Sequence, residues 1–518
     1  MGIKKLLRST DDTELDLLRS AIDNKESEMG KDSATSVEIK KIIKVVEDFI
    51  SDKGLLCYGG TAINNILPKK DQFYDLTKEI PDYDFFSPNA LDHAKELANI
   101  YYKLGYNEVE AKSGKHLGTY KVFVNYTPIA DITQTDEGLF NKLCKHSITV
   151  NHIKYCPPNY LRMSLYLEFS RPEGDISRWE KILKRMNLLN KHYPIKGKNC
   201  EKFKNFNREF TSNKNTESIF NIVKNFLIDQ GVIFFGGFAF SNYSTFMSKN
   251  DKLKFNNTPD FDVISTDAEK TISLLIAYLE SKDIKDVQHQ RHDGIDEVVP
   301  VHHEIKIGTD TIAFIYESDA CYSYNNVQID KRTAKIATID TILSLYLAFM
   351  YADKPYFNYD KLTCMSKLIH DIQLKNRTSN KGLLKRFQTK CDGTQATRES
   401  MKKDKSDAFQ KLKDKKNSRE YEIWFLNYRP DVLYTKNKNS ITITPKKTVE
   451  MKNDEIKEAV SSISKSVKKS NKVKKSKKIV KKTKKVTKKP KKTVKKSIKK
   501  IKKKTAKKSK NFLERLFK

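Results

Sequence analysis

Apolar residues recur every three or four positions through LDLLRSAI (Leu15–Ile22) and again through VEIKKIIKVVEDFI (Val37–Ile50). That spacing predicts helix over residues 1–50. The pattern then shortens. GLLCY (Gly54–Tyr58) predicts a brief strand and runs into Gly59-Gly60. TAINNIL reads as helix, the polar stretch with Pro68, Lys69 and Lys70 as loop, and PDYDFFS as an acidic pair leading a strand. Helical spacing returns over 90–105 and 160–190, with strand material between them at Tyr120–Thr133 (YKVFVNYTPIADIT). A Lys- and Asn-rich loop over about 194–215 reads as a boundary.

Beyond that boundary the pattern repeats. GLLCYGGTAINN and PDYDFFSPNA in the first copy correspond to GVIFFGGFAFSN and PDFDVISTDA in the second. Gly54, Gly59, Gly60, Ala62 and Asn65 align with Gly231, Gly236, Gly237, Ala239 and Asn242. Pro81, Asp82, Asp84, Ser87 and Ala90 align with Pro259, Asp260, Asp262, Ser265 and Ala268. The second glycine and the first aspartate are separated by 22 residues in one copy and 23 in the other. Agreement over two separated blocks points to a duplicated α/β unit.

Strand, Gly-Gly, helix, Asp-x-Asp is a pattern with chemistry in it. Glycines at a strand-to-helix turn allow unusual dihedrals and let backbone N–H groups approach a phosphate at the helix N-terminus. Gly59, Gly60 and Thr61 are the candidates for that cradle. Asp82 and Asp84 are two apart, so on a strand their carboxylates share a face. Adjacent carboxylates call for a cation, and an all-oxygen ligand set suits Mg²⁺. Asp131, closing the apolar run IAD, is the candidate third acid of a two-metal site built for in-line phosphoryl transfer. The second copy keeps Asp260 and Asp262, but Phe314 stands where Asp131 would fall and Phe238 replaces Thr61. The bulk of Phe238 is expected to crowd a triphosphate there, and Glu317 is a weak substitute for the missing acid. Copy two therefore reads as a non-catalytic platform. His289, His292, His302 and His303 read as exposed or hydrogen-bonded rather than as zinc ligands.

Charge changes the picture at one end only. Of the net +34, residues 459–518 carry +27, with 28 Lys+Arg against Glu514. Lys465–Lys510 holds 26 Lys and no aromatics, a composition that predicts disorder and a polyanion tether. Targeting or solubility is the alternative. NFLERLFK at the end is a short amphipathic stretch. The longest nearly apolar run, TILSLYLAFMYA (Thr341–Ala352), is far short of a membrane span, and the start lacks the apolar core of a secretory signal. The seven cysteines are scattered with no CxxC pair, which argues against a zinc ribbon or a disulfide framework and for a reducing compartment.

The ordered pattern resembles the nucleotidyltransferase superfamily related to DNA polymerase beta, with a longer gap between glycines and aspartates than most members. GGTAIN, PDYDFF, PIADIT and YCPPNYLRMSLYLEFSRPEGDISRWEKILKRMNLLN resemble more closely the poly(A) polymerase catalytic subunit of large nucleocytoplasmic DNA viruses, over about 45–435. The fold class expected is α+β or α/β. It comprises a helical N-terminal region (1–50), a catalytic nucleotidyltransferase unit (51–150) and a helical nucleotide- and RNA-contacting segment (151–215). A degenerate second unit (216–345), a helical region (346–440) and a disordered basic tail (441–518) follow.

The resemblance implies template-independent addition of AMP from ATP to an RNA 3′ end, with pyrophosphate released and two Mg²⁺ or Mn²⁺ ions. Asp82, Asp84 and Asp131 would hold the metals, and Gly59, Gly60, Thr61, Asn64, Arg178 and Lys181 would bind the nucleotide. In the block around 155–192, Arg162, Arg171, Lys184 and Arg185 would add phosphate contacts, and Tyr160, Tyr166 and Trp179 would offer rings for bases. A homodimer and a site of action in the host cytoplasm or virion are implied, without a membrane. No base-selecting pocket is legible, so uridylyl or CCA addition is an alternative, as is a non-catalytic RNA-binding protein.

Overall fold

The computed structural model describes residues 36–431 except 76, 209–215 and 256–259, together with most of 14–28. The chain divides into Met1–Ile441 and Thr442–Lys518. The basic tail, the NFLERLFK end and Pro259 of the second repeat lie outside the described residues.

The first repeat opens on the helix Val37–Asp52, whose Ser36 side chain caps it by accepting from the Ile39 N–H. Strands β1 (Leu56–Cys57), β2 (Tyr83–Ser87), β3 (Val109–Ser113), β4 (Thr119–Val124), β5 (Thr127–Gln134), β6 (Ile148–Val150) and β7 (Ile153–Tyr155) follow. The second repeat supplies β8 (Ile233–Phe234), β9 (Phe261–Ser265), β10 (Val287–His292), β11 (His302–Ile307), β12 (Asp310–Glu317), β13 (Tyr322–Ile329), β14 (Arg332–Ala337) and β15 (Cys391–Asp392). A last strand, β16 (Asn427–Tyr428), returns to the first sheet.

The two mixed sheets run β16-β3-β4-β5-β2-β1-β7-β6 and β10-β11-β12-β9-β8-β14-β13-β15. Strand for strand, β3 to β6 in the first match β10 to β13 in the second, with the same parallel pairs (β2–β5 and β9–β12, β1–β7 and β8–β14). The duplication read from sequence is thus a duplication of topology. Both copies also carry a bulge in the same hairpin, at Val122/Phe123 of β4–β5 and Ile305/Lys306 of β11–β12.

Along β2, Tyr83, Phe85 and Ser87 are buried while Asp84 and Phe86 are half-exposed, the alternation of a strand with one face on the core. All of β9 is buried, so the second sheet is covered on both faces at its centre. One contiguous apolar core runs from Ile42 to Leu426. Between the sheets the helices Pro158–Ser170 and Ile339–Phe349 pack together. Arg171, just past the first of these helices, reaches the start of β13, bonding Asp319 at 3.2 Å and the Tyr322 hydroxyl at 3.0 Å. At the far edge, Arg419 pairs with Asp92, Lys95 with Glu422, and the Tyr428 hydroxyl with Asn99, seating β16 beside β3.

The cysteines depart from expectation. Cys200–Cys364 and Cys321–Cys391 are disulfide-bonded, at sequence separations of 164 and 70 residues. Such distant partners leave no local spacing signal. Cys57, Cys144 and Cys156 are free. The histidines follow expectation: His289 bonds His303 at 2.9 Å, His303 bonds Glu317 at 3.1 Å, and His292 bonds Glu304 at 3.2 Å. No helix among the described residues is long and apolar enough to cross a membrane.

Candidate active site

β1 ends at Cys57, the N–H of the next residue, Tyr58, donates to the Asp84 carbonyl at 2.9 Å, and the helix Gly59–Ile66 starts at once. Gly59 sits at φ +73°, and a Cβ there would lie 2.7 Å from Asp84 Oδ2. A Cβ on Gly60 would run into the Tyr74 hydroxyl and lie 3.0 Å from both Arg185 terminal nitrogens. Absent side chains thus let the turn touch the carboxylate on one side and a guanidinium on the other.

Asp84 stands directly across from Asp131 in the parallel β2–β5 pair. Asp82 lies just before β2. Burial raises the Asp82 pKa, the charge of Asp131 adds to it, and Lys121 opposes both. Asp84 is pushed up to about 7, by burial first and then by Asp82 and Asp131, against Lys121 and Arg178. Carboxylates that raise the pKa of Asp82 and Asp84 mark a site short of positive charge, and the oxygen-only donors of Asp82, Asp84 and Asp131 suit a hard divalent cation. Asp82, Asp84 and Asp131 would hold it. The local counter-charge is Lys121, in register with Asp131 across β4–β5 and salt-bridged to it.

A cationic cluster faces the glycine turn. Arg185, 7% exposed, donates to the Tyr74 hydroxyl at 2.7 Å and lies over the Phe73 ring, 4.9 Å from its centroid. Lys181 has its pKa lowered by the neighbouring charge of Arg185, then by burial and by Arg178. Positive groups gathered this closely make an anion site. The unusually long gap between glycines and aspartates has a use here, since it carries Phe73 and Tyr74 beneath Arg185.

Other expected residues take different places. Thr61 is buried, and its hydroxyl donates to the Asp82 carbonyl at 2.6 Å, bracing the turn. Asn64 is 1% exposed. Its Oδ1 accepts from the Phe73 and Tyr74 N–H groups and its Nδ2 donates to Asn65. Its amide is spent holding the 73–74 loop, so it lies beneath the site rather than in it. Arg178 is half-exposed and bonds Glu168 at 2.9 Å. Arg162 is wholly buried, bonding Asn190, Asn159 and the Tyr193 carbonyl, and Lys184 pairs with Glu180 on the surface. Tyr160 and Tyr166 are core residues, and Trp179 packs on Phe169 and Phe387. Tyr160 and Tyr166 are therefore not available to stack on bases, and one side of the Trp179 ring is taken up by its packing on Phe169 and Phe387.

Residues 44–175 match the family model of the poly(A) polymerase catalytic subunit. That segment holds the glycine turn and all three aspartates, and stops just short of Arg178, Lys181 and Arg185. Over 171 residues the chain is 36% identical to an African swine fever virus protein named for a poly(A) polymerase catalytic subunit, covering 32% of this chain and 36% of that protein. A similarly named Acanthamoeba polyphaga mimivirus protein is 34% identical over 165 residues, covering 31% and 28%. The chain therefore matches about a third of the length of these curated relatives. The crystal structure of the Megavirus polyadenylate synthase aligns over 90% of this chain and 92% of its own, with a TM-score of 0.70 at 20% identity. The fold is thus shared across both repeats.

In the second repeat the register places Phe314 opposite Asp262, as Asp131 stands opposite Asp84. Glu317 pairs with Ser265, three residues along, and binds His303 instead. Phe238 does not fill the turn as expected. Its helical position sends the ring into the core against Phe234 and Phe261. The turn's donors are consumed another way: the Phe238 and Gly236 N–H groups donate to the Asp260 and Asp262 carbonyls.

Proposed function

We propose that this chain is a template-independent polynucleotide adenylyltransferase that adds AMP from ATP to RNA 3′ ends and releases pyrophosphate. The observation that carries the reading is the in-register pairing of Asp84 with Asp131 beside a glycine turn with no room for a side chain. Two Mg²⁺ or Mn²⁺ ions would neutralise charge at the transferring phosphorus and lower the proton affinity of the RNA 3′ hydroxyl. Asp82, Asp84 and Asp131 would hold the ions, and Asp131 would help activate the hydroxyl for in-line attack on the α-phosphorus. Arg185, fixed by Tyr74, and Lys181 bind the β and γ phosphates as charge passes to the leaving pyrophosphate. Arg178, near enough to Asp84 to lower its pKa, completes the triphosphate contacts. The resemblance to giant-virus enzymes adds a homodimer, to be read by sedimentation of the same preparation, and a site of action in the host cytoplasm or the virion.

The test is extension of a labelled RNA primer with each NTP separately, with Mg²⁺ or Mn²⁺. ATP is expected to give long products, lost in Asp82→Ala and Asp84→Ala while RNA binding survives. Extension by UTP alone would assign a uridylyl transferase. No extension with intact RNA binding would leave a binding protein.

A further inference from the structure

The second repeat keeps two of the three aspartates and fills the gap with a side chain. Arg208, from the segment between the repeats, places Nη1 2.9 Å from Asp260 Oδ2 and 2.9 Å from Asp262 Oδ1, and Nη2 donates to the Phe261 carbonyl at 2.9 Å. Its guanidinium lies over the Phe314 ring, 4.9 Å from the centroid. Burial opposes its charge, but the two carboxylates outweigh that and hold it cationic. In the first repeat the corresponding cation is Lys121, on a flexible stem and 39% exposed, free to swing aside. Arg208 is held by three acceptors under an aromatic ring.

The fit is incomplete in a telling way. Asp260 is 4% exposed, yet its Oδ1 has no hydrogen-bond partner, and the amide of neighbouring Asn207 is also unpaired. Asp260 and Arg208 border a cavity of about 80 Å³ also lined by Phe235, Tyr316, Tyr346, Phe349 and Lys361. That is far below the ~300 Å³ of a small-molecule site, so a nucleotide is excluded and room remains for water or an ion. A planar monocation satisfies one oxygen of each carboxylate here. A six-coordinate cation would demand more ligands, and the stranded Asp260 Oδ1 and the Asn207 amide are what that larger demand leaves over.

We infer that Arg208 is a built-in replacement for a divalent cation, and that Asp260 and Asp262 remain a site for Mg²⁺ or Mn²⁺ that this side chain keeps closed. The second unit would then hold its shape without metal, whatever reaction the first unit performs.

The experiment uses the full chain carrying Asp82→Asn and Asp84→Asn, so that the first site contributes little. Mn²⁺ alone is titrated calorimetrically into this parent and into the same chain with Arg208→Ser. The parent is expected to bind no ion in the submillimolar range. Arg208→Ser is expected to bind one Mn²⁺ per chain and to melt at a higher temperature with the ion present. Adding Asp260→Asn should abolish both effects, and Arg208→Lys, which retains a positive charge, should bind none. A folded Arg208→Ser chain that takes up no ion would overturn the inference, as would a parent that binds one at Asp260 with Arg208 in place. If Arg208→Ser does not fold in EDTA, it is refolded with and without Mn²⁺. Recovery only with metal supports the inference, and failure in both conditions counts against it.

Discussion

Neutralising Asp84 should stabilise the metal-free protein while destroying its chemistry. The carboxyl is pushed from 3.8 to about 7 by burial and by Asp82 and Asp131. At about 1.4 kcal/mol per tenfold change in proton affinity, ionised Asp84 costs the fold about 4 kcal/mol. Partial solvation and the loss of attraction to Lys121 and Arg178 reduce the gain from Asp84→Asn to about 2–4 kcal/mol. With roughly 400 described residues unfolding at about 2 cal/mol/K each, the melting temperature should rise by about 2–5 °C.

The sign with pH follows from the raised pKa. Between the unfolded value near 3.8 and the folded value near 7 the native state binds the extra proton, so wild-type stability falls as pH rises through that window. The gap between variant and wild type is therefore full above pH 7 and fades toward pH 4. Calorimetry in EDTA at several pH values measures it, and millimolar Mg²⁺ or Mn²⁺ should close it by stabilising only the wild type. A variant no more stable than wild type at pH 8 would show that the three carboxylates do not strain the fold, and the argument for a cation-demanding site would fail.

Gly59→Ala forces a side chain into a positive-φ position against Asp84, and primer extension should fall at least about tenfold with RNA affinity retained. Arg185→Ala should raise the KM for ATP far more than it alters RNA binding, and Tyr74→Phe should do so more weakly; an unchanged KM in both would remove Arg185 from the triphosphate. Asp260→Ala with Asp262→Ala strands a buried Arg208, so the melting temperature should drop by an amount matching about 3 kcal/mol, yet addition per folded molecule should persist. Arg208→Met in the same chain should restore the temperature; a loss of chemistry as deep as in Asp82→Ala would mean that the second repeat is the active one. Removing residues 459–518 should weaken RNA binding, flatten its salt dependence and shorten tracts more than it slows single addition. Filter binding at several salt concentrations, with product sizing, reads this directly.

Much of this site was legible because the chain repeats itself. Asp131 ends an apolar run, and its alignment with Phe314 singled out one live copy; the strand registers agree at both positions. Lys121 was not legible, for a definite reason. Counting back from the Asn125–Tyr126 turn would set it opposite Ala130, and only the bulge at Val122/Phe123 shifts it to Asp131. A bulge leaves no mark in the hydrophobic pattern. Arg208 was hidden in a stretch that reads as linker, and Arg185, named among the basic residues of its block, could not be singled out from them because their faces depend on what covers them. Tyr160 and Tyr166 looked like base platforms because the helix Ile339–Phe349 that buries them lies nearly two hundred residues away. The same remoteness hid the disulfides.

The return of β16 to the first sheet bears on how the chain comes off the ribosome. The partners that seat it, Lys95 with Glu422 and Asn99 with Tyr428, are 327 and 329 residues apart. Until residue 428 has been synthesised, β3 is the open rim of an otherwise finished sheet, presenting unpaired backbone groups to any neighbouring nascent chain. The entire second repeat is made during that interval. Early termination anywhere between the repeats and Tyr428 would therefore release a product with its glycine turn and three aspartates complete but one flank sticky. Such fragments should be recovered as aggregates rather than as small active enzymes, and the minimal catalytic piece of this protein should extend at least to Tyr428.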